Sequence, residues 1–192
     1  MVVQADLGLS LADFIRLFAE SPFELVDGER IPVVPNVAEH TEILKLLYSL
    51  LLLYEAAHKS VSVYSESPYV LLYTSDWVRG SRVPDIMLYN AERMAAYKAS
   101  TPDWRGKPFV IVPDVCIEIL SPNDSSLDMD DKIERYFEDG VQQVWVMNPR
   151  RQYITIYTRD STQFTRLTVS ATLSGGDLMP DFTLPVSAIF AV

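Results

Sequence analysis

Two carboxylates and one lysine are the residues of this sequence whose types and positions could do chemistry. Glu118 interrupts the apolar run 115–120, and a buried strand holds a carboxylate only if it is paired, protonated or bound to a cation. Asp85 falls on the apolar face of a strand predicted at 82–89, because alternate side chains of a strand point to the same side. Lys132 lies on a helix that is predicted to follow the apolar run 115–120.

These three groups have the chemistry that phosphodiester hydrolysis needs. Neighbouring strands lie about 4.8 Å apart, so Asp85 and Glu118 could bind one divalent cation, and their hard oxygen atoms favour Mg²⁺ or Mn²⁺. Such an ion polarises a phosphoryl oxygen and lowers the pKa of a bound water, while Lys132 could orient that water or stabilise negative charge. The residue pattern alone leaves this chemistry as one possibility among several.

The stretch that must position these groups is 113–149. An apolar run stops at Ser121-Pro122-Asn123-Asp124 and a second run follows Gly140, so the stretch reads as strand, turn, helix and strand. A parallel β-α-β unit is therefore predicted, with the helix at 127–139. Four residues share the helix face that can reach the edge of the sheet: Asp128, Lys132, Arg135 and Tyr136.

The order of elements predicts an α/β (α+β) fold, a mixed β-sheet flanked by helices, as one domain over residues 1–192. We expect a helix at 10–20 with Ser10 as its N-cap, a longer helix from an Asn36 cap to about residue 58, and a third helix at 91–98. Further strands are expected at 23–26, 30–34, 61–65, 69–74, 153–158 and 163–168, with a turn at 76–80, a loop at 101–108, a turn at 175–177 and a final short helix opened by 184–186.

Composition limits the functions that are open to the chain. A formal net charge of −10 and a pI near 4.6 argue against a broad phosphate-binding surface, because non-specific affinity for nucleic acid comes from clustered lysine and arginine. Any contact with nucleic acid must then be local. The candidates are three basic pairs: Arg79/Arg82, Arg105/Lys107 and Arg150/Arg151.

The sequence lacks the signatures of several other classes of protein. The single cysteine, Cys116, is predicted to be a small buried hydrophobe and fits a reducing cytoplasm. The most apolar segment, 43–53, is too short to span a bilayer. His40 and His58 have no partner for a zinc pattern, and neither a Gly-x-Ser-x-Gly elbow nor a glycine-rich phosphate loop is present.

The combined motifs resemble one family along nearly the whole chain, the Uma family of restriction-endonuclease-like proteins. The segments that carry the resemblance are Glu24-Leu25-Val26-Asp27-Gly28, His40, Pro84-Asp85, the run 113–122, Asp128-x-x-x-Lys132-x-x-x-Tyr136, and the strand with Gly140-Val141, Trp145-Val146 and Asn148-Pro149. Any one of these motifs is weak by itself. The usual family residue before Pro149 is Asp, and this chain has Asn148 there.

The resemblance implies membership of the PD-(D/E)xK nuclease superfamily, and so a Mg²⁺-dependent endonuclease acting on DNA, with a homodimer as the expected state. It implies Asp85 as the motif aspartate, Glu118 as the acidic metal ligand and the Ile119 carbonyl as a backbone ligand. The motif lysine is expected two residues after the acid, where this chain has Leu120. The resemblance therefore implies that Lys132 replaces it.

Four residues are expected to support this site: Glu39, His40, Asp128 and Tyr136. Each of the acidic helix residues also has a structural interpretation, since Glu39 fits a capping box with Asn36 and Asp128 favours the helix dipole. Tyr136 could equally pack in the core. Glu118 could instead form a buried ion pair with Lys132 or Arg82, and Lys132 could pair with Asp128.

A second function is compatible with the same residues. The chain could be a catalytically inactive relative of such nucleases that acts as an interaction module or a homo-oligomeric accessory protein. The acidic surface favours this alternative, because it would repel nucleic acid outside a local cleft.

Overall fold

The computed structural model describes residues 8–122 and 126–192. Within these ranges the α-helices are α1 (Leu11–Glu20), α2 (Ala38–His58), α3 (Ala91–Ser100), α4 (Ser126–Asp139) and α5 (Val186–Ile189). The strands are β1 (Leu9–Ser10), β2 (Phe23–Val26), β3 (Glu29–Pro32), β4 (Val61–Ser65), β5 (Tyr69–Thr74), β6 (Trp77–Arg82), β7 (Ile86–Asn90), β8 (Val115–Ile119), β9 (Gln143–Asn148), β10 (Tyr153–Thr158), β11 (Phe164–Thr168), β12 (Thr172–Gly175) and β13 (Met179–Pro185).

A six-stranded mixed sheet lies at the centre, in the order β11-β10-β9-β8-β7-β4. Strands β8 and β9 are parallel and joined through α4, whereas the other neighbours are antiparallel. A parallel pair needs a long crossover, and here α4 supplies it. The predicted β-α-β unit and the mixed sheet are therefore confirmed, except that the predicted turn residues 123–125 lie outside the described ranges.

Two layers of apolar side chains sandwich this sheet. On one face α2, through Ile43, Leu47 and Leu51, packs in a cluster with α5 and the β12–β13 hairpin. On the other face α4 packs through Ile133 and Tyr136 against β7, β8 and β9. Alternation along β8 puts Cys116 on the α4 side, and Glu118, two residues further, points the same way.

A second sheet, ordered β1-β6-β2-β3 with β5 beside β6, packs near the first. The turn predicted at 76–80 is wrong, because the turn is confined to Ser75 and Asp76 and β6 begins at Trp77. Gly80, Ser81 and Arg82 lack strand character, but pairing with β5 on one side and β2 on the other buries them, while Arg79 stays exposed.

The strand predicted at 82–89 also needs correction. Arg82 ends β6, Ile86 begins β7, and Asp85 lies in a bend between them rather than inside a strand. Pro84 has no N–H to donate to a ladder, which accounts for the break. The bend frees Asp85 to turn towards the end of β8.

Helix starts agree with prediction in one case and differ in another. The hydroxyl oxygen of Ser10 accepts a hydrogen bond from the Asp13 N–H at 3.1 Å, as expected of an N-cap. The N-cap of α2 is Val37, not Asn36, whose amide donates instead to Glu66. No helix in the described ranges combines the length and the apolar character that crossing a membrane requires.

The loops and hairpins near the ends of the sheet are mostly as expected. The β2–β3 turn places Asp27 and Gly28 at φ 50° and 84°, the left-handed conformation that a tight hairpin requires. The β10–β11 hairpin is confirmed. The β12–β13 hairpin was not predicted from the sequence, because β12 is only four residues long and the register of the pair shifts between Ser174 and Gly175.

Candidate active site

Asp85 and Glu118 lie side by side at the junction of β7 and β8. The antiparallel register pairs Ile86 with Ile117. Asp85, which precedes Ile86, therefore lies beside Glu118, which follows Ile117. The Asp85 Oδ2 atom accepts a hydrogen bond from the Ile119 N–H at 2.7 Å. This bond fixes the first carboxylate against the end of β8.

Glu118 is held from α4. The Lys132 ammonium donates to its Oε2 at 2.9 Å, and the Tyr136 hydroxyl donates to its Oε1. The two donors lie four residues apart and therefore on one helix face. Asp128, one further turn back, is exposed at the same cavity. The structure therefore brings together Asp85, Glu118 and Lys132.

Glu24 is a third carboxylate that the sequence analysis did not place in the site. Its Oε1 accepts from the Val83 N–H at 2.9 Å and lies 3.5 Å from the Lys132 Nζ. Strand β2 is a short alternating strand, and nothing in the local sequence distinguishes its single polar residue from an ordinary exposed one. The only available signal was that Glu24 belongs to one of the segments that carry the family resemblance.

His40 supports Asp85 from α2. Its ring is 2% exposed, and its Nε2 lies 3.0 Å from Asp85 Oδ2. Burial lowers the pKa of His40, but the hydrogen bond to Asp85 and the charges of Asp85 and Glu118 outweigh it, so that the net pKa is raised. A protonated imidazole is thus favoured beside the aspartate.

The charge of Glu118 is the most perturbed feature of the site. Its residue is 5% exposed, and burial raises the pKa of Glu118 to about 7 against the opposing effect of Lys132. Asp85 and Glu24 raise it further. Burial opposes the charge of Lys132, but the same three carboxylates raise the pKa of that lysine above its usual value. The ammonium therefore stays charged, whereas Glu118 titrates near neutrality.

A cavity of about 390 Å³ opens onto these groups. Its wall includes Glu24, His40, Asp85, Glu118, Ile119, Asp128 and Lys132. Glu39 does not belong to this group, because its exposed side chain lines a second cavity. Successive helix residues are about 100° apart, so His40 and Glu39 cannot both face Asp85.

Arg82, the other predicted partner for Glu118, is engaged elsewhere. Its guanidinium lies 3.3 Å from Asp139, and it donates to the carbonyls of Leu25 and Ser81. Of the two ion pairs considered for Glu118, the structure contains the one with Lys132.

The donor set fits a hard divalent cation in its chemistry. Three carboxylates share one lysine, and the charges of Asp85 and Glu24 add to the effect of burial in raising the pKa of Glu118, a repulsion that a bound cation would relieve. Among the described residues, however, no three ligating side chains are already gathered at metal-binding distance. Asp85 and Glu118, with the Ile119 carbonyl at the cavity wall, are the groups that could hold the ion.

The architecture defines a nuclease fold. It is similar to a crystal structure of a putative nuclease belonging to DUF820 from Anabaena variabilis, with a TM-score of 0.75 and 21% sequence identity, covering 95% of this chain and 97% of that chain. The predicted restriction-endonuclease-like fold is thus confirmed. A comparison with curated proteins found no match.

The family follows from the sequence itself. Residues 11–187 match the Uma2 family, described as putative restriction endonucleases. The chain belongs to that family, as its motifs predicted.

Proposed function

We propose that this protein is a Mg²⁺- or Mn²⁺-dependent endonuclease that hydrolyses phosphodiester bonds of DNA. The observation that carries the proposal is the meeting of Asp85, Glu118 and Lys132 in one cavity, from the bend before β7, from β8 and from the helix that follows β8. Membership of a family described as putative restriction endonucleases supports the same reaction.

In this proposal Asp85 and Glu118 hold the metal with the Ile119 carbonyl. When bound, the ion would supply a Lewis acid for a phosphoryl oxygen and a water of lowered pKa. His40 keeps Asp85 in position through its ring nitrogen, and the Tyr136 hydroxyl keeps Glu118 in position. Both carboxylates are thereby pre-oriented before any substrate arrives.

Lys132 acts as a hydrogen-bond donor and a positive charge rather than as a base. Its pKa is raised by the surrounding carboxylates, so it keeps its proton at neutral pH. The ammonium can stabilise negative charge that develops on the phosphate or orient the attacking water. Glu118 and Glu24, at 2.9 and 3.5 Å, hold it in place.

The proposal also includes the partners of the protein and its location in the cell. A net charge of −10 confines phosphate contacts to local basic groups, and a homodimer would let two such groups act along one duplex. The buried, unpaired Cys116 fits a reducing cytoplasm.

A second candidate function is that of a catalytically inactive accessory protein. The observation that favours it is that Lys132 and Tyr136 already occupy both oxygens of Glu118. While this network stays closed, Glu118 and Lys132 are not free to act on a phosphate, so the protein would not cleave nucleic acid even if it bound a metal ion.

Cleavage assays separate the two candidates. Purified protein is incubated with plasmid and with single-stranded DNA in Mg²⁺ or Mn²⁺, beside Glu118→Gln and Lys132→Ala. The endonuclease proposal predicts cleavage by the wild type and its loss in both variants. Cleavage that persists in both variants would come from a contaminant, and metal binding without cleavage of any nucleic acid would support the accessory function.

A further inference from the structure

A second cavity, of about 630 Å³, adjoins the first. Ser121 and Met129 belong to the walls of both cavities, so the two cavities lie next to each other beyond the C-terminal end of β8. The far wall is the face of β9 and β10 beyond α4, together with the turn Pro149–Arg151 that connects them. We call this second cavity the basic groove.

Strand register ties the basic groove to the candidate active site. Glu118 pairs with Val146, Val146 with Thr155, and Thr155 with Arg166, so these four residues form one row across the sheet. Paired residues in a sheet point to the same face. Arg166 therefore lies on the face of Glu118, three strand spacings or about 14 Å away.

The groove differs in charge from the rest of the chain. Arg150, Arg151 and Arg166 are exposed at its wall and outnumber the two acids there, Glu39 and Asp130. A local excess of positive charge on a chain with a net charge of −10 favours a negative ligand at this place over the rest of the surface. Neighbouring phosphates on a strand that enters the active site are such a ligand.

Aromatic rings accompany these arginines. The Arg166 guanidinium lies 4.3 Å from the Tyr153 ring centre and 5.5 Å from that of Phe164. Phe164 is 54% exposed and packs beside Tyr157 at 5.6 Å. Arginines along a backbone path with exposed rings beside them are the arrangement that binds single-stranded nucleic acid, because each unpaired base can stack on a ring.

We propose that the basic groove binds a single-stranded segment of the nucleic acid next to the scissile phosphate. Arg150, Arg151 and Arg166 contact its phosphates, and an unpaired base stacks on Phe164. A duplex keeps its bases inside the stack, where an exposed ring cannot reach them. The inference rests on the proposed function for the position of the scissile bond, and the row from Glu118 to Arg166 sets the path.

The test is binding without cleavage, measured by fluorescence anisotropy in EDTA with a labelled single-stranded oligonucleotide and with its duplex across a salt series. Arg166→Ala should weaken single-strand binding and reduce the slope of log K against log salt by about 0.7, the value for one phosphate contact. Phe164→Ala should weaken binding about tenfold without changing that slope. The duplex should bind more weakly than the single strand.

Arg105→Ala is the matched control. Arg105 is also exposed and lies 4.8 Å from an aromatic ring, that of Trp104, but outside both cavities. Its loss should leave affinity and slope unchanged. Equal losses in Arg105→Ala and Arg166→Ala, tighter binding of the duplex, or no binding at all would overturn the groove assignment.

Hydrolysis of bis(4-nitrophenyl) phosphate by the wild type in Mn²⁺ tests the proposed function separately, because this diester is too small to extend from Glu118 to Arg166. If the wild type hydrolyses the diester but the groove variants bind the oligonucleotide as tightly as the wild type does, only the assignment of the basic groove is overturned. Groove-dependent binding with no hydrolysis of either the diester or DNA would overturn the endonuclease proposal and leave the groove as a nucleic-acid site.

Discussion

The protein contains two buried ion clusters that have similar side chains but differ in their charge balance and in their access to a cavity. In one, Arg82 pairs with Asp139 at 3.3 Å, with side chains 7% and 5% exposed, and the Tyr69 hydroxyl donates to the carboxylate. In the other, Lys132 pairs with Glu118 at 2.9 Å, with side chains 20% and 7% exposed. There too a tyrosine hydroxyl donates to the carboxylate.

Charge balance and access distinguish the two clusters. Arg82 meets one carboxylate and two backbone carbonyls, and neither member of the pair lines the two cavities described above. At the wall of a cavity, Lys132 and the His40 imidazole together face three carboxylates, so one negative charge is uncompensated when Glu118 is ionised. In the enclosed pair the two charges compensate each other. The cluster at the cavity has uncompensated charge, and a cation, or a cation together with a phosphate, can bind there.

The largest expected difference is in hydrolysis. Glu118→Gln and Asp139→Asn are matched substitutions that each replace a buried carboxylate by an amide of the same shape. We expect Glu118→Gln to reduce the rate by about a thousandfold or more, which corresponds to about 4 kcal/mol, because the metal loses a charged ligand. Asp139→Asn should keep the activity of its folded fraction. The measurement is the cleavage rate per folded protein, with folding checked by circular dichroism.

An equal loss of activity in both variants would erase the distinction between the clusters. It would mean that the effect of Glu118→Gln comes from a disturbed fold rather than from a lost ligand.

The next effect is on stability. Arg82→Met should cost about 3–5 kcal/mol of unfolding free energy, because it leaves Asp139 buried without its cation. Burial already raises the pKa of Asp139 even with Arg82 present. Without the arginine that pKa rises further, so the loss relative to the wild type should grow as pH increases above the pKa that Asp139 has beside Arg82. Urea denaturation at acidic and neutral pH measures it, and a loss that does not change with pH would contradict this explanation.

Lys132→Met should have a smaller effect on stability and a clear one on rate. The lysine is partly exposed, and Glu118 can take up a proton when its partner is removed, so less free energy is lost than in Arg82→Met. We expect the rate to fall about a hundredfold with the loss of one preorganised positive charge. Stopped assays at saturating metal, beside urea denaturation, give both quantities. A Lys132→Met protein less stable than Arg82→Met would show that the site cluster is structural.

The smallest effect is the pH dependence. Glu118 must be ionised to bind a cation, and its pKa is raised to about 7, so at low metal concentration activity should rise with pH through neutrality. A group of this pKa gains about fivefold in ionised fraction from one pH unit below its pKa to the pKa, and less than twofold over the next unit. Removing Lys132 should move this rise to higher pH. A flat profile below neutrality would contradict the assignment.

Local pattern was sufficient for the β8-α4-β9 unit and for its principal residues. A carboxylate inside an apolar strand is expensive, so Glu118 was visible as an anomaly, and the helical period placed Lys132 and Tyr136 on one face. These inferences depend on neighbours in sequence. They identified which groups to bring together but not the atoms that they contact.

Contacts between distant segments could not be read from the sequence. Glu24 reaches Lys132 only because the second sheet packs beside α4, and β2 has the pattern of an ordinary half-buried strand. Strand β6 was mistaken for a turn since its polar residues are buried by partners on both sides. Asp85 was assigned to a strand because the effect of Pro84 on the ladder depends on which neighbours that strand acquires.

Calorimetric titration with Mn²⁺ tests the central claim most directly, that the unbalanced cluster is a metal site and the balanced one is not. The account predicts one ion bound per chain by the wild type and by Asp139→Asn, and none by Glu118→Gln. A wild type that binds no ion, or a Glu118→Gln protein that binds it as tightly, would contradict the account.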